Sequence, residues 1–304
     1  MVRNTILPLT LRSPQMCLLY VVFSLFIHCI APQAAKSETA DVLQTNESAQ
    51  SDGSTRDESR SPESESEIER KWLGSYPYRP RRNLIEGLTH LVDYQNLWTL
   101  GIGLGLVVSA KSSFDDDAQA YFHRQRRFGK HAEYLGNEIL GTGVPGVLVG
   151  AGFWLFGDLF SRPYEMHAGQ AQIETLFVTG LVTALMKGSF QRKRPDGSDY
   201  LSFPSGHTST VFASAMVLQE FYGWKLGFPA FLLGGITAGS RMSDNRHWLS
   251  DTVASATIGM MIGHAYSTAH LGRISSFGQK KQSKVSIVPI VLPGGGQIVF
   301  RYQN

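Results

Sequence analysis

Apolar positions along the chain gather into six stretches: Tyr94–Ala110, Val144–Phe160, Ile173–Met186, Thr208–Tyr222, Leu226–Ser240 and Thr252–His270. The breaks between them carry Gly and Pro, at Gly141-Thr-Gly-Val-Pro145, Arg162-Pro163, Arg194-Pro195 and Gly223. Apolar stretches between such breaks read as successive helices over residues 84–272. A polar, amphipathic stretch, 114–140, lies between the first two. Crossing a bilayer takes ~20 apolar residues. The longest uncharged runs are 17 residues (94–110) and 19 residues (139–157), and Glu174 to Lys187 encloses only 12. The runs at 208–219 and 226–240 hold 12 and 15. The expectation is a bundle that is soluble or only partly embedded; full spanning is compatible with the runs but not demanded by them.

Both ends depart from this pattern. Arg3 and Arg12 precede an uncharged apolar run of 15 residues, Met16–Ile30, and small residues follow at Ala31 to Ala35. A basic front, short apolar core and small-residue exit fit a signal peptide over 1–35, with an uncleaved anchor as the alternative. Residues 36–71 hold ten acids and five bases with almost no large apolar side chain. Such a segment cannot bury enough surface to offset chain entropy, so 36–82 is expected to be a disordered linker. The helical domain then occupies 83–272 and a basic tail 273–304. In that tail 284–292 and 297–302 flank Pro293-Gly-Gly-Gly296, which predicts two short strands around a glycine turn. An edge hairpin on the bundle is expected, and pairing with an envelope partner is the alternative. The fold class is therefore all-α, about six core helices with a hairpin-like tail.

Composition narrows the picture further. Of 304 residues, 42% are apolar and 17% charged, enough for a large core. The net charge of +3 is too small to suggest nucleic acid. It is unevenly spread: +2 for residues 1–35, −5 for 36–71, and hence +6 for 72–304. A basic folded part suits an anionic ligand or an acidic membrane surface. The two cysteines, Cys17 and Cys29, both lie in the first apolar run, so the folded part has neither a disulfide nor a cysteine metal site.

Three clusters carry candidate chemistry: Lys187 to Arg194-Pro195, Pro204-Ser205-Gly206-His207, and Ser240-Arg241 to His247 and Asp251. Each alone has a plain structural reading. A lysine suits a helix C-terminus, Pro-Ser-Gly opens helices, and His–Asp at i, i+4 is a common surface pair. Together they converge. Helices joined by short loops run antiparallel, so the third helix ends, the fourth begins, the fifth ends and the sixth begins at one end of the bundle. Lys187, Arg194 and Arg241 there make a pocket for a tetrahedral oxyanion, with guanidinium groups gripping oxygens in pairs. Ser205 and Gly206 offer helix N-terminal N–H groups to the same anion. His247, held by Asp251 one helical turn on, is the candidate nucleophile toward phosphorus, and His207 the acid/base. This route needs no metal and no cofactor.

The three clusters resemble the signature of the type 2 phosphatidic acid phosphatase and vanadium haloperoxidase superfamily: Lys-x6-Arg-Pro, Pro-Ser-Gly-His and Ser-Arg-x5-His-x3-Asp. Every defining position is present over 187–251. The resemblance implies a helical bundle, His247 as nucleophile, His207 as acid/base, Asp251 as its orienter and the three cations as phosphate ligands. It implies a phosphatase acting on an envelope lipid, exported, membrane-associated or embedded, with its site facing the periplasm. The alternatives are a soluble exported acid phosphatase acting on small phosphate esters and, third, a vanadate-dependent haloperoxidase. Other features are read plainly. His264 and His270 are packing or helix-end residues, and Asp115-Asp-Asp117 is a solvated loop or helix start. Arg124, Arg126, Arg127, Lys130 and His131 form a solvated basic face.

Overall fold

The structure, a computed structural model, describes residues 80–124 and 129–281, with side chains to Ser275, and the backbone of 284–292 and 295–303. The expected export segment, most of the expected linker, and Arg126 and Arg127 lie outside the described residues. Within them the chain is a succession of helices: α1 Pro80–Thr89, α2 Tyr94–Arg124, α3 Lys130–Thr142, α4 Val144–Leu159, α5 Pro163–Phe190, α6 Gly206–Tyr222, α7 Trp224–Ser243 and α8 Leu249–Lys281. The domain is all-α, and each of the six apolar stretches falls on one of these helices. The backbone of 284–292 runs antiparallel to 295–303, Lys284 opposite Gln303. Its placement against the helices, where an edge hairpin was expected, lies outside the described side chains.

Local chemistry sets the helix ends. Asp93 caps α2 by accepting from the Asn96 N–H at 2.8 Å. Pro163 takes the first position of α5, where its missing N–H costs nothing. Gln191, in the left-handed region at φ 42°, closes the same helix. Ser205 caps α6 with its side chain.

Helices α2, α4 and α5 are amphipathic in reverse. The buried positions at the start of α2 are Asn96, Thr99 and Gly103, while Leu97, Leu100, Leu104 and Val108 face outward. On α4 the buried residues are Gly150 and Gly157, and Leu148, Leu155, Phe156 and Leu159 are exposed. On α5 the buried set includes Gln170, Gln172, Glu174, Thr175 and Thr179, against exposed Phe177, Leu181 and Leu185. Small residues let backbones meet: a Cβ on Gly259 of α8 would sit 2.4 Å from the Ser209 carbonyl of α6. Small and polar inside with large apolar outside is how helices pack in lipid. Helices α2 and α5 are long and apolar enough to cross a bilayer, and α3 with α4 pass together, although bent by 52°. The domain has a membrane location. On α5 the uncharged run length understated this, because Glu174, which interrupts the run, points inward.

Inward histidines at one end of the bundle are paired. His264 lies between Glu220 at 2.8 Å and Asp93 at 3.1 Å. His270 meets Glu174 at 3.0 Å and His167 at 2.9 Å. These histidines pack, as read from the sequence, but as members of carboxylate networks that tie α1, α2, α5, α6 and α8 together.

Candidate active site

The opposite end of the bundle collects the residues singled out above. Lys187 lies in the last turn of α5, and Arg194 and Ser205 on the loop that follows. Gly206 and His207 open α6, Arg241 lies in the last turn of α7, His247 on the next loop, and Asp251 in the first turn of α8.

His247 is almost fully buried, 4% exposed. Its Nδ1 lies 2.5 Å from the carbonyl oxygen of Ser202. A carbonyl only accepts, so Nδ1 carries the hydrogen and Nε2 keeps its lone pair. This corrects the expected hydrogen bond from His247 to Asp251: their closest approach is 3.9 Å, ion-pair range only. The i, i+4 argument assumed one continuous helix, but α8 begins at Leu249, so His247 is not on its face. The Asp251 carboxylate instead turns back. Its Oδ2 accepts from the Trp248 N–H at 2.9 Å and from Ser202 Oγ at 2.5 Å. Ser202 thus stands between them, its hydroxyl on the carboxylate and its carbonyl on the imidazole.

Arg192, which the sequence reading passed over, completes the support. One arm reaches Asp251 Oδ1 and Ser250 Oγ, each at 2.6 Å, and the other reaches Asp115 Oδ2 at 2.7 Å. Asp115 also accepts from the Ser250 N–H at 2.8 Å and is 7% exposed. The solvated reading of Asp115 is therefore wrong: it is a buried anchor between α2, Arg192 and α8. Its signal was slight, the first of three consecutive acids, next to Phe114 at a break in helix period. Arg192 has none beyond lying among three consecutive basic residues. Asn137 was also missed. It accepts from Arg241 at 3.2 Å and donates to Asp244 through a short hydrogen bond.

The cations act on both rings. Burial first, then the charges of Arg241, Lys187 and Arg194, push His207 down to about 4. His247 is held well below the usual histidine range by burial, then Arg241 and Lys187, against the pull of the Ser202 carbonyl, with Arg194 adding to the depression. Three positive charges near the two imidazoles, with Asp199 and Asp244 offsetting two of them in part, make a centre suited to a phosphoryl dianion. Arg194 donates through Nε to Asp199 at 2.7 Å, and Lys187 to the Leu201 carbonyl through a short hydrogen bond. Arg241 Nε is buried without a hydrogen-bond partner. Such a donor wants an acceptor, and an anionic oxygen supplies one.

Ser205 departs in part from its expected role. Its N–H donates to Ser255 Oγ at 2.6 Å, and its hydroxyl accepts from Thr208 Oγ1 at 3.0 Å. It builds the helix end, leaving Gly206 and His207, at the first helical positions, as the residues whose N–H groups have no partner within α6. Gly141 packs on the imidazole: a Cβ there would lie 2.2 Å from His207 Cδ2. Among the described residues no three His, Cys, Asp or Glu side chains group as they would around a metal ion.

Residues 171–275 match the PAP2 superfamily, a span that runs from α5 into α8 and holds every candidate site residue. Over 87 residues the chain is 40% identical to the lipid A 1-phosphatase of Porphyromonas gingivalis, covering 28% of this chain and 19% of that protein. It is 28% identical over 120 residues to the undecaprenyl-diphosphatase BcrC of Bacillus subtilis, 37% of this chain and 61% of that one. The lipid A 4'-phosphatase of Helicobacter pylori is 32% identical over 122 residues, 36% of this chain and 59% of that one. Each match spans less than two thirds of the relative's length. No solved structure matches.

Proposed function

We propose that this chain is a metal-independent phosphatase that removes a phosphomonoester or pyrophosphate group from an envelope lipid through a phosphohistidine at His247. One observation carries the reading: the ends of α5 and α7 and the starts of α6 and α8 bring Lys187, Arg194 and Arg241 together with His207 and His247, where burial first and then these charges hold both rings below the usual histidine range. A nucleophile and an acid/base thus share one cationic pocket. The PAP2 match and the names of the three relatives support the same chemistry.

In this reaction Lys187, Arg194, Arg241 and the α6 N-terminus at Gly206 hold the phosphoryl oxygens. His247 Nε2 attacks phosphorus, and the bond to the lipid oxygen breaks. His207 gives that oxygen a proton. His207 then takes a proton from water as the water attacks the phosphohistidine, and inorganic phosphate leaves. Ser205 and Asp251 keep the pocket in shape, Asp251 through Ser202.

The reading extends to location and architecture: export to the bacterial envelope, the site facing the periplasm, and about six core helices with a hairpin-like tail. The outward apolar side chains of α2, α4 and α5 favour a lipid substrate over the soluble acid phosphatase alternative. The test uses purified protein with a lipid phosphate in detergent. Hydrolysis survives EDTA, and vanadate inhibits as a mimic of the five-coordinate transition state. Activity lost on chelation and restored by Mg²⁺ or Zn²⁺ contradicts the reading. Halide oxidation with vanadate and peroxide favours the haloperoxidase instead.

A further inference from the structure

Helix α2 loses its regular period just where it reaches the candidate site. Over Ala110–Phe114 it widens into a π turn, and the Asp115 N–H donates to the Ala110 carbonyl five residues back. Ala110 faces inward. In a regular helix the next inward place falls three or four residues on, at Ser113 or Phe114. The wider turn passes that place to Asp115, which is buried, while Asp116 and Asp117 beside it are exposed. Such turns are rare, and those that occur lie frequently at functional sites. Among the described residues, everything that Asp115 hydrogen-bonds lies against Asp251. Its Oδ1 accepts from the Ser250 N–H at 2.8 Å, and its Oδ2 from the Ser250 hydroxyl and from Arg192 Nη2, each at 2.7 Å. Ser250 is the residue before Asp251, and the other arm of Arg192 holds Asp251 Oδ1 at 2.6 Å. From there two contacts of 2.5 Å lead to the imidazole, Ser202 Oγ to Asp251 Oδ2 and His247 Nδ1 to the Ser202 carbonyl. The direction of each bond is fixed. Arginine only donates, a carboxylate only accepts, and the Ser250 hydroxyl accepts from Arg192 and gives its one hydrogen to Asp115. A buried ion pair is weak evidence for stability, since desolvating both charges offsets their attraction. One geometry for Asp251 is what this arrangement supplies.

We propose that Asp115 is a positioning residue for the nucleophile: from α2 it holds Arg192 and Ser250, which fix Asp251 and Ser202, and through them the ring of His247. The inference rests on the phosphatase reading. It extends the machinery to a helix that precedes residues 171–275, the stretch matching the PAP2 superfamily. Asp115 makes no hydrogen bond to either histidine or to Lys187, Arg194 or Arg241. Its loss therefore slows the attack on phosphorus without loosening the hold on the phosphate.

The experiment measures turnover of a lipid phosphate and of p-nitrophenyl phosphate by the full chain in detergent, with vanadate inhibition alongside. Asp115→Asn keeps the side chain's shape but turns an amide donor toward Arg192 or Ser250, which both donate there. It is expected to lower kcat about tenfold on both substrates, the low end for an outer partner, with KM and vanadate inhibition within about twofold of wild type. Arg192→Gln is expected to lower kcat likewise. The double variant should be no slower than the slower single one, because both act along one path. Asp117→Asn, on the exposed side of the same turn, is the control and should match wild type. Should Asp115→Asn fail to fold, Ser250→Ala removes one hydroxyl from the same contact and should lower kcat about fivefold with vanadate inhibition unchanged. A kcat within twofold of wild type in Asp115→Asn, or in Ser250→Ala where that stands in for it, overturns the proposal. So does vanadate affinity that falls in step with kcat, or losses that multiply in the double variant. Each of these leaves the phosphatase reading standing. A wild type that hydrolyses neither substrate overturns that reading, and this inference with it.

Discussion

The carbonyl of Ser202 takes the Nδ1 hydrogen of His247 at 2.5 Å, which points the other ring nitrogen's lone pair at the cationic centre. A carbonyl sets the tautomer as firmly as a carboxylate but adds no full charge to steady the imidazole's positive form. Asp251 acts one step back, on the hydroxyl of the same serine. A carboxylate in direct contact with a catalytic histidine is worth ~10⁴ in rate. An outer partner that only orients one is worth about 10–100-fold. We therefore expect Asp251→Asn to lower kcat by about 10–100-fold with vanadate affinity little changed, measured on purified protein. A loss near ~10⁴ would mean that the carboxylate meets the imidazole directly during turnover. His207 gives a second expectation. Burial and three cations hold it near 4, so it is neutral at pH 7 in the free protein. An anion in the pocket cancels the cations' push, so its proton affinity must rise. Followed by NMR, the His207 ring should gain roughly tenfold or more in proton affinity when vanadate binds. No change on binding would remove it as the proton donor. The eight candidate residues could be singled out in the sequence because their types are rare at that spacing. The role of the Ser202 carbonyl was not, since any residue at that position has one.

Helix ends decide where these side chains go. The alternation of helix directions was readable from short loops, and it brings Lys187, His207, Arg241 and Asp251 to one end. The first residue of α8 was not readable: starting at Leu249 rather than before His247, it moves the histidine off the helical face and onto a loop. Arg192 and Asp115 were unreadable for another reason. Their pairing joins residues 77 positions apart, and no local pattern encodes that. Contact between elements also fixes His207, whose ring lies against Gly141 at the end of α3 with no room for a Cβ between them. Gly141→Val should therefore displace the imidazole and slow turnover of lipids, whose leaving oxygen needs a proton, by about 100-fold. p-Nitrophenyl phosphate, with its better leaving group, should lose less. An equal loss on both substrates would show that Gly141 serves the fold alone.

At the scale of the whole molecule, the apolar outside and polar inside make one design with the site. Outward leucines and phenylalanines on α2, α4 and α5 suit a bilayer, and the cationic end is where we propose that a headgroup phosphate binds. The helical class and the phosphate end were legible from the apolar stretches and three motifs. The membrane location was only half legible. Run lengths ignore which way a side chain points, and inward Glu174, His167 and Gln172 cut short what is outwardly a continuous apolar surface. Everything in the functional account turns on one covalent bond, between phosphorus and His247 Nε2. The direct measurement is to mix the protein with a ³²P-labelled lipid phosphate, quench in alkali and map the label. The account predicts an acid-labile, alkali-stable phosphate on His247, absent from His247→Gln, which should also release no phosphate. Phosphate release by His247→Gln within tenfold of wild type, or a label on any other residue, would contradict it.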